Sequence, residues 1–297
     1  MKAYVLLASL FLALVASPAL AQDDWSDRIS LKGDLRLRHE TIDEDGEEER
    51  NRMRMRARFG ISGKVSDNVK VVFGLATGGD NPVSRNTTLD GGFSTKDIGI
   101  ELAYVDWQIN DNLNLYGGKM KLPMYKAGGA PLIWDGDLNP EGLALKFTSG
   151  GFFGTAGGYS VEERSSADDS LLYVLQAGYT FSLGDNASLT AGAGYFAYTN
   201  TVGNEPFYNG RAKGNTVDIN GNYVYEYKDT EIFAQFDTKL GDWPLRVYAQ
   251  AVQNNEVSEQ DMGYAFGAKI GSAKSDGMAE FSWTYQDIEA DSVIGTF

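Results

Sequence analysis

Strict alternation of apolar and charged side chains is the sequence feature that most constrains how this chain can fold. Between residues 52 and 65, one phase carries apolar residues and the other carries arginine and lysine, and residues 29–38 alternate in the same way. A helix would scatter the arginines around its circumference, whereas a strand places them in one column on one face. The start of the chain therefore predicts two amphipathic strands. Their arginines are Arg36, Arg38, Arg52, Arg54, Arg56 and Arg58.

Similar alternating segments recur along the whole chain and predict about thirteen strands. Short polar turns, such as 66–68, 110–112 and 184–186, alternate with long connections. Short turns at one end and long loops at the other are typical of outer-membrane barrels. The predicted fold is therefore all-β, an antiparallel transmembrane β-barrel. The predicted long loops are 42–50, 78–97, 124–141, 160–169 and 200–228.

Two segments depart from this simple pattern. Residues 217–227 also alternate, but a spanning strand there would move the later tight turns to the long-loop end. We therefore assign them to the long loop, as a hairpin. In residues 98–109, Ile98, Ile100, Leu102 and Tyr104 share a phase that is predicted to face outward, and the apolar phase then slips to Val105. This slip predicts a β-bulge or an aromatic strand end after Tyr104.

The first 21 residues have the features of a secretory signal peptide. A basic start at Lys2 is followed by an apolar run over residues 5–16 and by small residues at 19 and 21. The run is too short to cross about 30 Å of hydrocarbon comfortably. We expect residues 1–21 to be removed and residues 22–297 to form one barrel domain.

Composition excludes several functional classes. The chain has no cysteine, which excludes disulfides and thiol chemistry, and its single histidine, His39, cannot form a site with several histidine ligands. No serine neighbour is evident for His39, so a Ser-His-Asp triad is not expected either. A formal net charge of −15 argues against nucleic acid as a partner. We expect no enzymatic activity, no cofactor and no metal site. The acidic run at residues 43–49 is interpreted as a solvated loop. The alternative is that it collects Ca²⁺ or Mg²⁺ or contacts divalent-bridged lipopolysaccharide.

Three stretches carry a family resemblance: AYVDW at 103–107, GGKMKLPMY at 117–125 and LIWDGDLNPEG at 132–142. They are similar to motifs of the "putative porin" family of proteobacterial outer membranes, and residues 287–295 extend the likeness. The resemblance implies a water-filled channel for passive diffusion of small hydrophilic solutes or ions, in a barrel of about sixteen strands. The alternative is a structural or adhesive barrel without a channel, which acts through its long external loops.

The end of the sequence raises a question of completeness. Bacterial barrels have an even number of strands, so an odd count leaves the last strand ending on the outer side. Phe297 has the aromatic character that the barrel-assembly machinery reads, but Gly295, Asp291 and Glu289 occupy positions where a lipid-facing strand would be apolar. We therefore expect the chain to lack its closing strands.

The six arginines should form one wall that faces the lumen, because their opposite-phase neighbours are apolar. Arginine binds carboxylate and phosphate in a fork, so the wall would favour anions. The favoured interpretation is instead that the arginines pair with lumen acids such as Asp34, Glu40, Glu101 and Asp106, which leaves a transverse field that orients solutes, and anion selectivity is the alternative.

The loop at 124–141 follows the fifth predicted strand, where many porins fold a loop inward to narrow the pore. Its glycines allow tight bending, and Lys126, Asp135, Asp137 and Glu141 are its candidate constriction residues. The alternative is a loop that packs on the rim. The remaining expected partners are outer-membrane lipid, lipopolysaccharide and the barrel-assembly machinery, and a homotrimer is compatible with the sequence.

Overall fold

The structure, a computed structural model, describes residues 25–130 and 132–297. The predicted signal peptide lies outside the described residues. Besides two short 3-10 segments, Trp25–Arg28 and Ala127–Gly129, the regular elements are strands. The strands are β1 (Ile29–Ile42), β2 (Arg50–Lys64), β3 (Val69–Thr77), β4 (Thr87–Thr88), β5 (Ile98–Asn110), β6 (Leu113–Lys119), β7 (Glu141–Ser149), β8 (Phe152–Glu162), β9 (Ser170–Ser182), β10 (Ser188–Tyr198), β11 (Lys228–Leu240), β12 (Trp243–Asn254), β13 (Met262–Gly271) and β14 (Glu280–Ile288).

All the long strands belong to one antiparallel sheet, in which each pairs with the next long strand along the chain. The two-residue strand β4 pairs with β2 beside this path. Within the described residues, β1 and β14 each have a single neighbouring strand, so the sheet is not closed. The thirteen predicted strands and the predicted alternation of short turns and long loops are confirmed.

The two faces of the sheet differ in chemistry, as the alternation predicts. Large apolar side chains project from the outer face, where Leu35 is 70% and Leu175 is 63% exposed. Such a continuous apolar surface suits contact with lipid. No helix in the described part of the chain is long and apolar enough to cross a membrane.

One prediction about the outer face is wrong. Ile98 and Ile100 are exposed as expected, but Leu102 is only 7% exposed and Tyr104 packs against the inner apolar cluster. The pairing of β3 with β5 shifts between Gly74 and Leu75, opposite residues 100–102. The bulge therefore lies at Glu101, between Ile100 and Leu102 and about three residues earlier than predicted, and it turns Leu102 and Tyr104 inward.

The concave face encloses an apolar cluster near the long-loop end. It combines inward residues of β7–β10, β12 and β13 with the loop between β6 and β7, the loop at 199–227 and the segment after β14. In the segment after β14, Val293 and Ile294 are buried, and the Phe297 ring stacks on Tyr198 and Phe207. Residues 217–227 lie in the loop as predicted, with a single bridge between Val217 and Tyr223.

The GGK motif in β6 is explained by a close approach of two strands. Gly118 has a φ of +117°, and a Cβ there would overlap the Ala103 carbonyl oxygen of β5. Only glycine combines this backbone conformation with this spacing.

We expect Gly118→Ala to destabilise the folded sheet by about 2–4 kcal/mol, the sum of overpacking and left-handed backbone strain. The measurement is urea-dependent folding into phospholipid bilayers, followed by the heat-modifiable mobility of the folded protein. Gly150→Ala is the matched control, because Gly150 has a φ of +58° but open space around its Cβ position. Equal losses in both variants would contradict the close approach.

Candidate functional site

The six arginines of the predicted wall share one face of the β1–β2 pair, and we refer to them below as the arginine wall. Arg36 lies directly opposite Arg56 and Arg38 lies opposite Arg54, so like charges face one another across the strand pair. Like charges in such positions destabilise a sheet unless acids or solvent compensate them. The wall therefore depends on its few carboxylates.

Two carboxylates within the wall provide this compensation. Glu40 forms ion pairs with Arg38, Arg52 and Arg54, and the Arg52 Nε–Glu40 Oε2 distance is 2.5 Å. Asp34 forms ion pairs with Arg56 and Arg58, at 3.0 and 2.7 Å.

The other two predicted acids behave differently. Glu101 of β5 lies 3.8 Å from Arg58, so its predicted pairing with the wall is present. Asp106 instead accepts a hydrogen bond from the Asn114 side chain, at 2.8 Å. Its predicted pairing with an arginine is therefore wrong.

The loop at 78–97 folds against the wall, which the sequence did not predict. The Asn86 side-chain oxygen accepts a hydrogen bond from Arg36 Nη2, and the Asn86 carbonyl accepts one from Arg54 Nη2, both at 2.7 Å. The neighbouring Arg85 is 6% exposed and lies 3.6 Å from Glu101. This loop is positioned by β4, which extends the edge of β2 beside Arg54.

The loop between β6 and β7, residues 120–140, crosses the concave side and contacts the opposite strands. The Tyr125 N–H and C=O both bond to the Gln176 side chain of β9, at 2.7 and 3.0 Å. The Gly128 N–H donates to Gln235 Oε1 of β11, at 2.7 Å. Glutamines on the inward phase of distant strands therefore hold the backbone of this inward loop in place.

Aromatic packing completes this attachment. The Tyr125 ring lies between Phe153 of β8 and Phe233 of β11, with ring centroids 5.1 Å from each. At the tip, Gly128 has a φ of +63° and lies so close to Tyr248 of β12 that a Cβ would overlap its ring. The inward loop therefore fits tightly against β8–β12.

Of the four candidate constriction residues, Asp137 comes nearest to the wall. Its carboxylate is 3.9 Å from Arg56, and its carbonyl accepts a hydrogen bond from Arg85 at 3.2 Å. Asp135 accepts the Asp137 N–H at 2.7 Å and so shapes the turn. Glu141 pairs with Lys119 where β6 and β7 meet the loop, at 2.6 Å.

Lys126 lies on the opposite side of the loop, away from the wall. Its ammonium donates to the Trp134 carbonyl at 2.8 Å. Burial lowers the pKa of Lys126, and the charges of Asp135, Asp137 and Glu231 act against this shift. Lys126 therefore ties the loop to itself, while Asp137 presents negative charge to the arginines.

The comparisons with known proteins agree with this architecture. A family model described as "Putative porin" matches residues 41–230. No curated protein sequence matches the chain. Among solved structures, OprB of Pseudomonas putida has a TM-score of 0.57 at 10% identity, over 90% of this chain and 77% of that one. At this identity the likeness shows a shared fold.

Two other solved structures have lower scores. OmpT of Vibrio cholerae, in its trimer form, has a TM-score of 0.49 at 11% identity, over 88% of this chain and 79% of that one. The outer-membrane channel DcaP of Acinetobacter baumannii has a TM-score of 0.41 at 13% identity, over 90% and 93% of the two chains.

Proposed function

The chain belongs to the "Putative porin" family of outer-membrane channels, and we propose that its passage runs between the arginine wall and the inward loop. The passage would admit small hydrophilic solutes and ions by passive diffusion. The lumen would then be open along the arginine wall and filled by the inward loop on the opposite side.

The observation that carries this proposal is the difference in burial between the two sides. On the far side, the inward polar residues Gln176, Gln235 and Gln250 are at most 5% exposed, because the inward loop covers them. On the wall, the side chain of Arg58, on β2 between two neighbouring strands, is 32% exposed, and Arg38 and Asp34 of the edge strand β1 are each 40% exposed. Water and solutes can therefore reach part of the arginine wall and cannot reach the glutamines.

The charged residues on the two sides of the passage would determine which solutes it favours. Six arginines on β1 and β2 outnumber Asp34 and Glu40, and Asp137 is presented from the opposite side. A positive wall facing a carboxylate creates a transverse field, which acts strongly in a narrow lumen where screening is incomplete. We infer that the field orients dipolar solutes and favours small anions modestly.

Several features of the assembled protein remain predictions from the sequence. These are contact with lipopolysaccharide, recognition by the barrel-assembly machinery and a homotrimer. The family is one of channels, and we assign no catalytic role to any residue. The structural or adhesive alternative requires a lumen that conducts no ions, so a conductance measurement separates the two functions.

We expect the purified full-length protein, added to a planar lipid bilayer, to produce stepwise increases in current in potassium chloride. The reason is that the wall side of the lumen is polar and accessible. Heat-denatured protein at the same concentration is the control, because it keeps the composition and loses the sheet. A folded preparation that inserts into bilayers without current steps in any salt would favour the adhesive alternative.

A further inference from the structure

A second basic feature lies beside the arginine wall, toward the short-turn end. It is a cavity of about 410 Å³ on the concave face of β1, β2, β3 and β5. This volume falls in the range of small-molecule sites, about 300–1,000 Å³. Its charged residues are Lys32, Asp34, Arg58, Lys70, Glu101 and Lys121.

The charges around the cavity are not balanced. Asp34 and Glu101 are both engaged by Arg58, at 2.7 and 3.8 Å. Within the described chain, none of the three lysines has a carboxylate within 4.0 Å. Four cations and two carboxylates therefore share the cavity, and three ammonium groups are uncompensated.

A further acid, Asp106, lies opposite Lys70 in the pairing of β3 with β5. Its carboxylate accepts a hydrogen bond from Asn114, and none of the ion pairs among the described residues joins it to Lys70. Lys64, opposite Lys70 on β2, adds another positive charge nearby. These two flanking charges offset each other, so the surplus of positive charge inside the cavity remains.

Neutral polar groups lie among these lysines. Ser30 and Ser62 face each other across β1 and β2, and Tyr104 contributes a phenol. Ammonium groups act as point charges toward phosphate and carboxylate, and hydroxyl groups supply further hydrogen bonds. This combination suits an anion that also carries polar groups, and it does not suit an apolar ligand.

We propose that this lysine cavity is a binding station for small organic anions that carry a phosphate or a carboxylate. The proposal rests on the proposed function, since the station lies on the inward face of a conducting lumen. It differs from the arginine wall because its lysines lack the carboxylate partners that the arginines have. An anion leaving the wall would be held here before it reaches the short-turn end.

The test is anion block of single-channel current through the full chain in planar bilayers. Inorganic phosphate or succinate is added to the short-turn side at constant ionic strength, in about 0.1 M chloride, where screening is moderate. We expect saturable block in the unmodified protein. Block should weaken about tenfold or more in Lys32→Gln/Lys70→Gln/Lys121→Gln, because charge-assisted hydrogen bonds are lost.

Lys146→Gln is the matched control for Lys70→Gln alone, which removes one charge from the cavity, because Lys146 lies on the same face of the sheet, on β7, but outside the cavity. Block by phosphate alone assigns phosphate as the ligand group, block by succinate alone assigns carboxylate, and block by both assigns their shared charge. Current steps without saturable block by either anion would overturn the station and leave the channel intact. The same conclusion follows if the triple variant conducts and is blocked like the unmodified protein. A complete absence of steps in the unmodified protein would instead overturn the proposed function, and the station with it.

Discussion

Replacing Arg54 and Arg56 by glutamate is expected to shift the reversal potential of the channel toward cation selectivity by at least about 20 mV. The reference is the limit of about 59 mV that a perfectly selective pore reaches across a tenfold gradient of monovalent salt. The double change alters the charge of the wall by four units. The wall then has four arginines and four acids, counting Asp34 and Glu40.

The physical reason is the position of both side chains between the wall and the inward loop. Arg56 faces Asp137 at 3.9 Å, and both arginines are only 15% exposed, so they are screened less than surface charges. Reversing them places glutamates beside Asp34 and Asp137, which repels anions and attracts cations. The shift should shrink as salt concentration rises.

The matched control is Lys239→Glu/Lys274→Glu, which makes the same change in net charge near the short turns. Since these lysines lie away from the inward loop, the control should shift the potential much less. If repulsion prevents the glutamate variant from folding, Arg54→Gln/Arg56→Gln gives a smaller shift in the same direction. An unchanged potential in a folded, conducting variant would show that the arginine wall does not set selectivity.

The strands and their faces could be predicted from the sequence because the relevant signal is local. A period of two residues follows from strand geometry alone, so Leu35 and Arg36 occupy opposite faces whatever surrounds them. The bulge near Leu102 is a different case, because it depends on how β5 pairs with β3. Nothing in residues 98–109 by themselves distinguishes a slip before Leu102 from one after Tyr104.

In the candidate site, too, the features with a local sequence signal could be predicted and the long-range contacts could not. The six arginines were predicted because they alternate, and the inward loop was predicted through the family resemblance. Its anchors were not predicted, since Gln176 is 51 residues from Tyr125 and Gln235 is 107 residues from Gly128. Asn86 was missed for a related reason, because a single asparagine in a long loop carries no signal of what it will contact. A polar residue on the inward phase of a strand indicates the lumen but does not identify its partner.

Gly128→Val is expected to release the tip of the inward loop and to increase single-channel conductance. A valine Cβ would overlap the Tyr248 ring, and the φ of +63° at this position disfavours a branched side chain. Overpacking and backbone strain together cost about 2–4 kcal/mol. This shifts the equilibrium between the loop packed against Tyr248 and the displaced loop by roughly two orders of magnitude toward the displaced loop. A displaced tip also loses the hydrogen bond from its N–H to Gln235.

Gly129→Val separates the effect of overlap with the Tyr248 ring from the effect of backbone strain. Gly129 has a φ of +70°, nearly the same backbone strain, but its Cβ position is open. Conductance should therefore rise strongly in Gly128→Val and little in Gly129→Val. Adding Tyr248→Ser to Gly128→Val removes the overlapping ring and should bring conductance back toward that of Gly129→Val. If the two glycine variants conduct alike, the contact with Tyr248 does not hold the loop, and the pore is narrowed by something other than this tip.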